Sequence, residues 1–320
     1  MKASPSRPRM LTACVVCALA LAAPMPAQEK KEGKSEPAVA QWAARLNVSV
    51  FDAQNRPVTS LNAEDFEILE DGVAQKVTHF ERREGPLTFG LVVDNSGSFR
   101  SLMNDVVGVG HALVEASGPD AEIFVVRFVG SKSINIVQPL TTNKARLGGA
   151  LDDMFVEGGQ TAINDAVYLS ADYLAQFKAG QSAPRRYGLV LITDGEDRKS
   201  NYKPAQVHQK LREAGVPLYA LGLWHGEIRG FQETTPEKAG KYLERLAFES
   251  GGRAHLIKKR ADLAPAVRQI LAELSAPYAL GYVPTSQKRD GRKRKLEVRA
   301  KGSAGPLTVH TKNEYTAPEK

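Results

Sequence analysis

The sequence predicts an α/β protein: a doubly wound, mostly parallel six-stranded sheet with helices on both faces, joined by a small β sandwich made from strands at both ends of the chain. Three observations point there. Between residues 86 and 275, continuous apolar runs alternate with segments of helical period, the rhythm of parallel strands linked by crossover helices. Residues 43–84 and 276–320 carry short alternating stretches punctuated by Gly, Pro, Asn and Asp. With 320 residues, 42% of them hydrophobic, the chain can bury one large core and one smaller one.

The first 27 residues stand apart. Lys2, Arg7 and Arg9 precede an apolar run over 11–23, then Pro24-Met25-Pro26-Ala27. A basic start, an apolar stretch and a small residue before polar chain read as a secretory signal peptide. The apolar run is shorter than the roughly 20 residues that span a bilayer, so no integral membrane segment is expected after cleavage; an uncleaved anchor is the other reading. Both cysteines, Cys14 and Cys17, fall in this segment. A secreted or periplasmic chain without them must be held by its core alone. Residues 28–42, rich in Lys and Glu, read as a disordered linker.

The formal net charge is +7, and loss of Lys2, Arg7 and Arg9 would leave about +4. Much of the excess lies between Lys288 and Lys295. That run reads as a solvated hairpin tip around Asp290-Gly291 or as a patch for an anionic polymer. Nucleic acid is not an expected partner of an exported protein.

In the N-terminal β module, 45–51 and 66–70 alternate polar and apolar residues, Asp71-Gly72 marks a turn, and 75–80 alternates again. In the central region the expected strands are 87–94, 122–129, 134–140, 187–194, 217–224 and 253–257. The expected helices are 102–116, 143–154, 163–177, 204–214, 237–250 and 261–274. The tail returns to strands at 278–284, 294–300 and 307–311. Neither β region makes a good core alone, so the two are expected to pair, with the α/β domain inserted between them.

The first central strand ends in Asp94-Asn95-Ser96-Gly97-Ser98 just before a helix. In a doubly wound sheet, ligands sit at the carboxyl ends of the central strands, and this spacing lets one carboxylate and two hydroxyls converge from one tight loop. Gly158-Gly159-Gln160-Thr161 opens another helix and adds a hydroxyl. The apolar strand Val190-Leu191-Ile192-Thr193 ends in Asp194. Hard oxygen donors suit Mg²⁺, with Mn²⁺ or Ca²⁺ as alternatives, and suit zinc poorly. Two carboxylates and three hydroxyls leave at least one position of a six-coordinate cation for water or a partner's carboxylate.

Asp94-x-Ser96-x-Ser98, Thr161 and Asp194 together resemble, in order and context, the three-part metal-ion-dependent adhesion site of von Willebrand factor A domains; the resemblance covers residues 86–275. The flanks resemble a bacterial subfamily, the exported VWFA-related proteins of Acidobacteria: Val48 to Asp52, Leu61 to Phe66, Glu70-Asp71-Gly72, and Tyr278 with Gly281-Tyr282. The resemblance implies a Rossmann-like domain in which Asp94, Ser96 and Ser98 hold the cation directly or through water. Thr161 and Asp194 would alternate between direct and water-mediated contact, and a protein ligand's Asp or Glu would complete the sphere.

Phe99 and Arg100, just after the metal loop, are the expected partner contacts. Trp224, with His225 and Phe231 beyond it, either rims the site or lies half-buried at the sheet edge. An enzyme is not expected. A phosphohydrolase of the haloacid dehalogenase type needs a second carboxylate two residues after Asp94, where Ser96 stands. A serine hydrolase needs Gly-x-Ser-x-Gly, which is absent here, and the six histidines lack metal or triad spacing. The rival to metal-dependent adhesion is a structural part of an envelope assembly whose metal site does not capture a partner.

Overall fold

In the computed structural model, residues 43–54, 56–224, 235–302 and 305–317 are described. The expected signal peptide (1–27), the linker (28–42), His225 and Phe231 lie outside the described residues.

Six strands form the central sheet: β5 (Leu87–Asp94), β6 (Glu122–Phe128), β7 (Ile134–Thr141), β8 (Arg186–Thr193), β9 (Leu218–Leu223) and β10 (Ala254–Ile257), in the order β10-β9-β8-β5-β6-β7. All but β7 run parallel. β7 returns antiparallel to β6, because the connection, residues 129–133, closes as a tight turn through the Ser133 N–H to the Gly130 carbonyl and is far too short for a crossover. The helices are α1 (Met103–Ala116), α2 (Lys144–Asp152), α3 (Ile163–Ala179), α4 (Pro204–Ala214), α5 (Pro236–Ser250) and α6 (Leu263–Leu274).

Every residue of β5 is buried. Its side chains alternate between two cores: Phe89, Leu91 and Val93 pack with residues of α1, α2 and α6, and Val92 packs with residues of α3, α4 and α5. This two-sided burial explains why the parallel strands read as unbroken apolar runs.

The remaining strands are β1 (Ala44–Phe51), β2 (Phe66–Glu70), β3 (Val73–Gln75), β4 (Val77–Arg82), β11 (Tyr278–Tyr282), β12 (Lys293–Ala300), β13 (Thr308–His310) and β14 (Glu314–Thr316). They form two four-stranded sheets, β13-β1-β11-β4 and β14-β12-β2-β3, and each sheet mixes strands from both ends of the chain. Leu46, Val48, Ile68, Tyr278, Leu280 and Val298 are among the residues of their shared core. Asp71 and Gly72, at φ 48° and 82°, make the two-residue turn between β2 and β3 with Glu70 opposite Val73, a geometry that needs positive φ at both places. The stretch 75–80, expected as one strand, divides at Lys76. β3 stays with β2 in one sheet and β4 crosses to β11 in the other, which turns the sandwich corner.

Two tyrosine contacts lock this module. Tyr278 donates to the Val58 carbonyl at 2.9 Å and accepts from the Leu61 N–H at 3.0 Å, pinning the β1–β2 connection. Glu70, buried, accepts 2.6 Å hydrogen bonds from both Tyr282 and Tyr315; burial raises both phenols further, so they stay protonated donors. β1 also ties the sandwich to the central domain: Asn47 Nδ2 donates to Tyr219 Oη at 2.6 Å and to the Gly251 carbonyl at 3.0 Å. Among the described residues no helix is long and apolar enough to cross a membrane.

Glu70→Leu removes the acceptor of two buried phenols, and is expected to cost about 2–4 kcal/mol in urea unfolding, against about 1 kcal/mol for Tyr282→Phe. Equal losses in the two variants would show that the shared carboxylate is not what holds the sheets together.

Candidate functional site

The site lies at the carboxyl end of β5 and β8, where strand order reverses: β5 has β6 on one side and β8 on the other, although in sequence β8 lies beyond β7. At such a switch point the loops leaving neighbouring strands diverge and open a crevice.

Asp94 ends β5 and is fully buried. One carboxylate oxygen accepts the Ser96 N–H at 2.9 Å, and the other accepts the Thr193 hydroxyl at 2.7 Å. Past it the chain enters a 3₁₀ turn, Gly97–Ser101, closed by the Phe99 N–H on the Ser96 carbonyl. This turn brings the Ser96 and Ser98 hydroxyls to 3.0 Å from one another. Asp194, also buried, follows β8, and its carboxylate accepts the Glu196 N–H at 3.1 Å.

The electrostatics are those of two carboxylates close together in a dry place. Burial first, and the neighbouring charge of Asp194 second, push the Asp94 carboxyl up to about 7, against the Ser96 and Thr193 hydrogen bonds. Burial likewise raises Asp194, while the Ser98 hydroxyl and the Glu196 N–H hold it down. Among the described residues neither carboxylate is ion-paired: Arg198, the basic group that acts on Asp194, is bridged to Glu196. Nor do three His, Cys, Asp or Glu side chains gather into a ligand cluster among the described residues, so a cation here depends on hydroxyl donors as well as on carboxylates. A hard divalent ion fits that donor set, and the uncompensated pair of carboxylates supplies the reason for one.

Thr161 is buried just ahead of α3. Its carbonyl accepts the N–H groups of Arg198 and Lys199 at 2.8 and 3.1 Å, joining its loop to the one after Asp194. Gly159 stands at φ 152°, and a Cβ there would lie 2.5 Å from Val129 Cγ1; only glycine lets this loop press against the end of β6. Asp165, buried on α3, accepts from the N–H groups of Asn201 and Tyr202, which fixes the far side of the same loop.

The residues expected to meet a partner fall in three different places. Arg100 is exposed just after the loop of Ser96 and Ser98. Phe99 is fully buried in the central core with Leu102 and Val106, so the expectation of a Phe99 partner contact is corrected: the 3₁₀ turn points it inward, as an anchor for the loop carrying Ser96 and Ser98. Trp224 is half-buried, and its indole N–H donates to the Asp194 carbonyl at 2.7 Å, so it props the loop from behind.

Sequence reasoning passed over three further residues. Thr193 bonds directly to Asp94, and its place one residue before a strand-end Asp was the available clue. Asn95 Nδ2 donates to the Phe155 carbonyl at 2.6 Å, and the Asn95 carbonyl accepts the Glu157 N–H, holding the loop ahead of Thr161 over the site. Phe155 is 52% exposed, with the Arg127 guanidinium 4.3 Å from its ring centre. It is a large apolar side chain on the loop that carries Thr161, and its place in the short apolar run Met154-Phe155-Val156 gave no sign that it would be exposed.

The von Willebrand factor type A domain profile matches residues 90–269, more than half of the chain. The human collagen alpha-6(VI) chain is 26% identical over 182 residues, 53% of this chain and 8% of that protein. Mouse inter alpha-trypsin inhibitor heavy chain 4 is 25% identical over 198 residues, 58% of this chain and 20% of that protein. The chain thus spans a fifth or less of these relatives. Among solved structures, an aerotolerance-related membrane protein from Bacteroides fragilis is similar at a TM-score of 0.48 and 17% identity, over 58% of this chain and 99% of that one. With the six-stranded sheet and its covering helices, the profile match places the chain in the von Willebrand factor type A domain family.

Proposed function

We propose that the chain is an exported binding protein that captures a carboxylate of a protein partner through a divalent cation held by Asp94, Ser96, Ser98, Thr161 and Asp194. The observation that carries this reading is the pair of buried, unpaired carboxylates of Asp94 and Asp194 beside the Ser96 and Ser98 hydroxyls. Bound there, a Mg²⁺, Mn²⁺ or Ca²⁺ ion would balance the two charges and offer an open coordination position to an anionic ligand. Thr193 and the Ser96 N–H fix the orientation of the Asp94 carboxylate, and Trp224 fixes the backbone of Asp194. Exposed Arg100 and Phe155 flank this edge and are the side chains proposed to touch a partner.

The site holds rather than transforms. Catalysis of phosphoryl transfer would need an acid two residues beyond Asp94, and Ser96 there is tied to Ser98. Export rests on Lys2, Arg7, Arg9 and the apolar run behind them, and is checked by mass spectrometry of the exported product, which should begin near Gln28.

Calorimetry with each cation is expected to give one site with a Kd on the order of 0.1–1 mM. Asp194→Ala should abolish it, and with it metal-dependent capture of partners from envelope extract. Capture that survives both chelator and Asp194→Ala would favour the rival reading of a purely structural metal site. Saturation unchanged in Asp194→Ala would remove the site altogether.

The same pair sets a stability prediction. Because the folded-state value of Asp94 is raised from 3.8 to about 7, the folded chain retains a proton that the unfolded chain releases. In chelator this contribution is fully present below about pH 4 and is lost as the pH rises through about 7. Asp94→Asn should flatten that decline and be about 1–2 kcal/mol more stable than the parent at pH 8 in chelator, while losing the stabilisation that added cation gives the parent. A variant less stable than the parent in chelator would mean that the carboxylate pair carries no such cost.

A further inference from the structure

A cavity of about 630 Å³ lies where α5 and β10 of the central domain meet β14 and the start of β12, and none of the five candidate cation ligands lines it. Lys312 lines it and is only 4% exposed. Its ammonium nitrogen lies 4.6 Å from the centre of the Phe248 ring and has no hydrogen-bond partner among the described residues. Two more buried nitrogens of lining residues are also unpartnered, Arg253 Nη2 and His255 Nε2. Phe248 and Tyr315 stack at 4.7 Å with their planes 10° apart, and both face the cavity.

The charges around the cavity do not balance evenly. At the mouth Lys293 is bridged to Glu314 and Arg245 to Glu249, and the Glu244 carboxylate lies near Lys293 and Lys241. Deeper in, Glu273 pairs with Arg253 at 3.3 Å, while Lys312 has no ion pair with any described residue. Burial pushes the Lys312 ammonium down to about 7, with Glu273 opposing and Arg253 assisting that shift. A lone buried ammonium is costly unless something supplies its counter-charge. The inner wall therefore carries one positive charge in excess, next to an aromatic stack, in a volume suited to a small molecule.

We propose that this cavity binds a small organic monoanion, a carboxylate head on an apolar body, with Lys312 as its counter-ion, His255 and Arg253 as further donors, and the Phe248–Tyr315 stack as the wall for the body. One excess charge matches a carboxylate better than a dianionic phosphate. This site is independent of the cation site, and its test keeps them apart by working in chelator.

The experiment is calorimetry on the full chain in EDTA at pH 6.5 with benzoate, phenylacetate and octanoate, then phenylacetamide and phenyl phosphate. At least one carboxylate should bind at a single site. Phenylacetamide should bind at least tenfold more weakly than phenylacetate, as should phenylacetate to Lys312→Met. Lys312→Met should melt no lower than the parent, since it removes an uncompensated buried charge. The proposal is overturned by any of four results: no carboxylate saturates; the amide matches its acid; phenyl phosphate outbinds the carboxylates; or Lys312→Met retains affinity. The acid–amide comparison needs no variant, so it stands even if Lys312→Met fails to fold.

Discussion

A carboxylate at the end of a fully buried strand is the constraint on which this molecule is arranged. β5 has no solvent-facing residue, so Asp94 leaves the sheet inside protein rather than at its surface. Burying an unpaired carboxylate is strongly unfavourable unless hydrogen bonds and a counter-charge meet it. The neighbouring strand supplies the Thr193 hydroxyl and the following turn supplies the Ser96 N–H, but the counter-charge does not come from a described basic side chain. The loops around the site then read as supports for an acidic group. Asn95 ties the loop of Phe155 and Glu157, Thr161 ties the loop after Asp194, and Trp224 braces that loop from beneath.

The sandwich obeys the same logic of shared burial. Neither its N-terminal strands nor its C-terminal strands can cover an apolar face alone, and each of its sheets is assembled from both ends of the chain. That closure places the two chain ends of the central domain side by side, since β4 precedes β5 and β11 follows α6. Asn47, bonded to Tyr219 and to the turn after α5, couples this platform to the central domain.

What could be read from sequence was whatever depends on local period and local spacing. β5, expected over 87–94, forms over Leu87–Asp94, and α4 forms over Pro204–Ala214 as its pattern and its Pro at the first turn suggest. The donors Asp94, Ser96 and Ser98 sit on one short turn, so their proximity was visible in their spacing. Long-range facts were not visible. Phe99 follows Ser98 and looked available, but a 3₁₀ turn rotates each residue by about 120° and puts this one into the core. Trp224 shows an indole beside a strand end, and nothing in its neighbours says that its N–H reaches Asp194. The sheet change at Lys76 and the pairing of strand β14 depend on partners distant in sequence. The cavity at Lys312 is of the same kind, since its walls come from α5, β10 and β14.

The molecule thus carries two buried charge imbalances of opposite sign, well separated in the fold. The carboxylates of Asp94 and Asp194 are in excess at one edge of the central sheet, and the ammonium of Lys312 is in excess where that sheet meets the sandwich. Folding alone would favour apolar residues at all three positions, because each isolated buried charge subtracts from a net stability of only about 5–15 kcal/mol. The large two-faced core of the central sheet and the tyrosine-locked core of the sandwich are what make that subtraction tolerable. A fold that retains such charges away from its surface is organised around what neutralises them. On the readings proposed above, this is a divalent cation for the acidic edge and a single organic anion for the basic cavity.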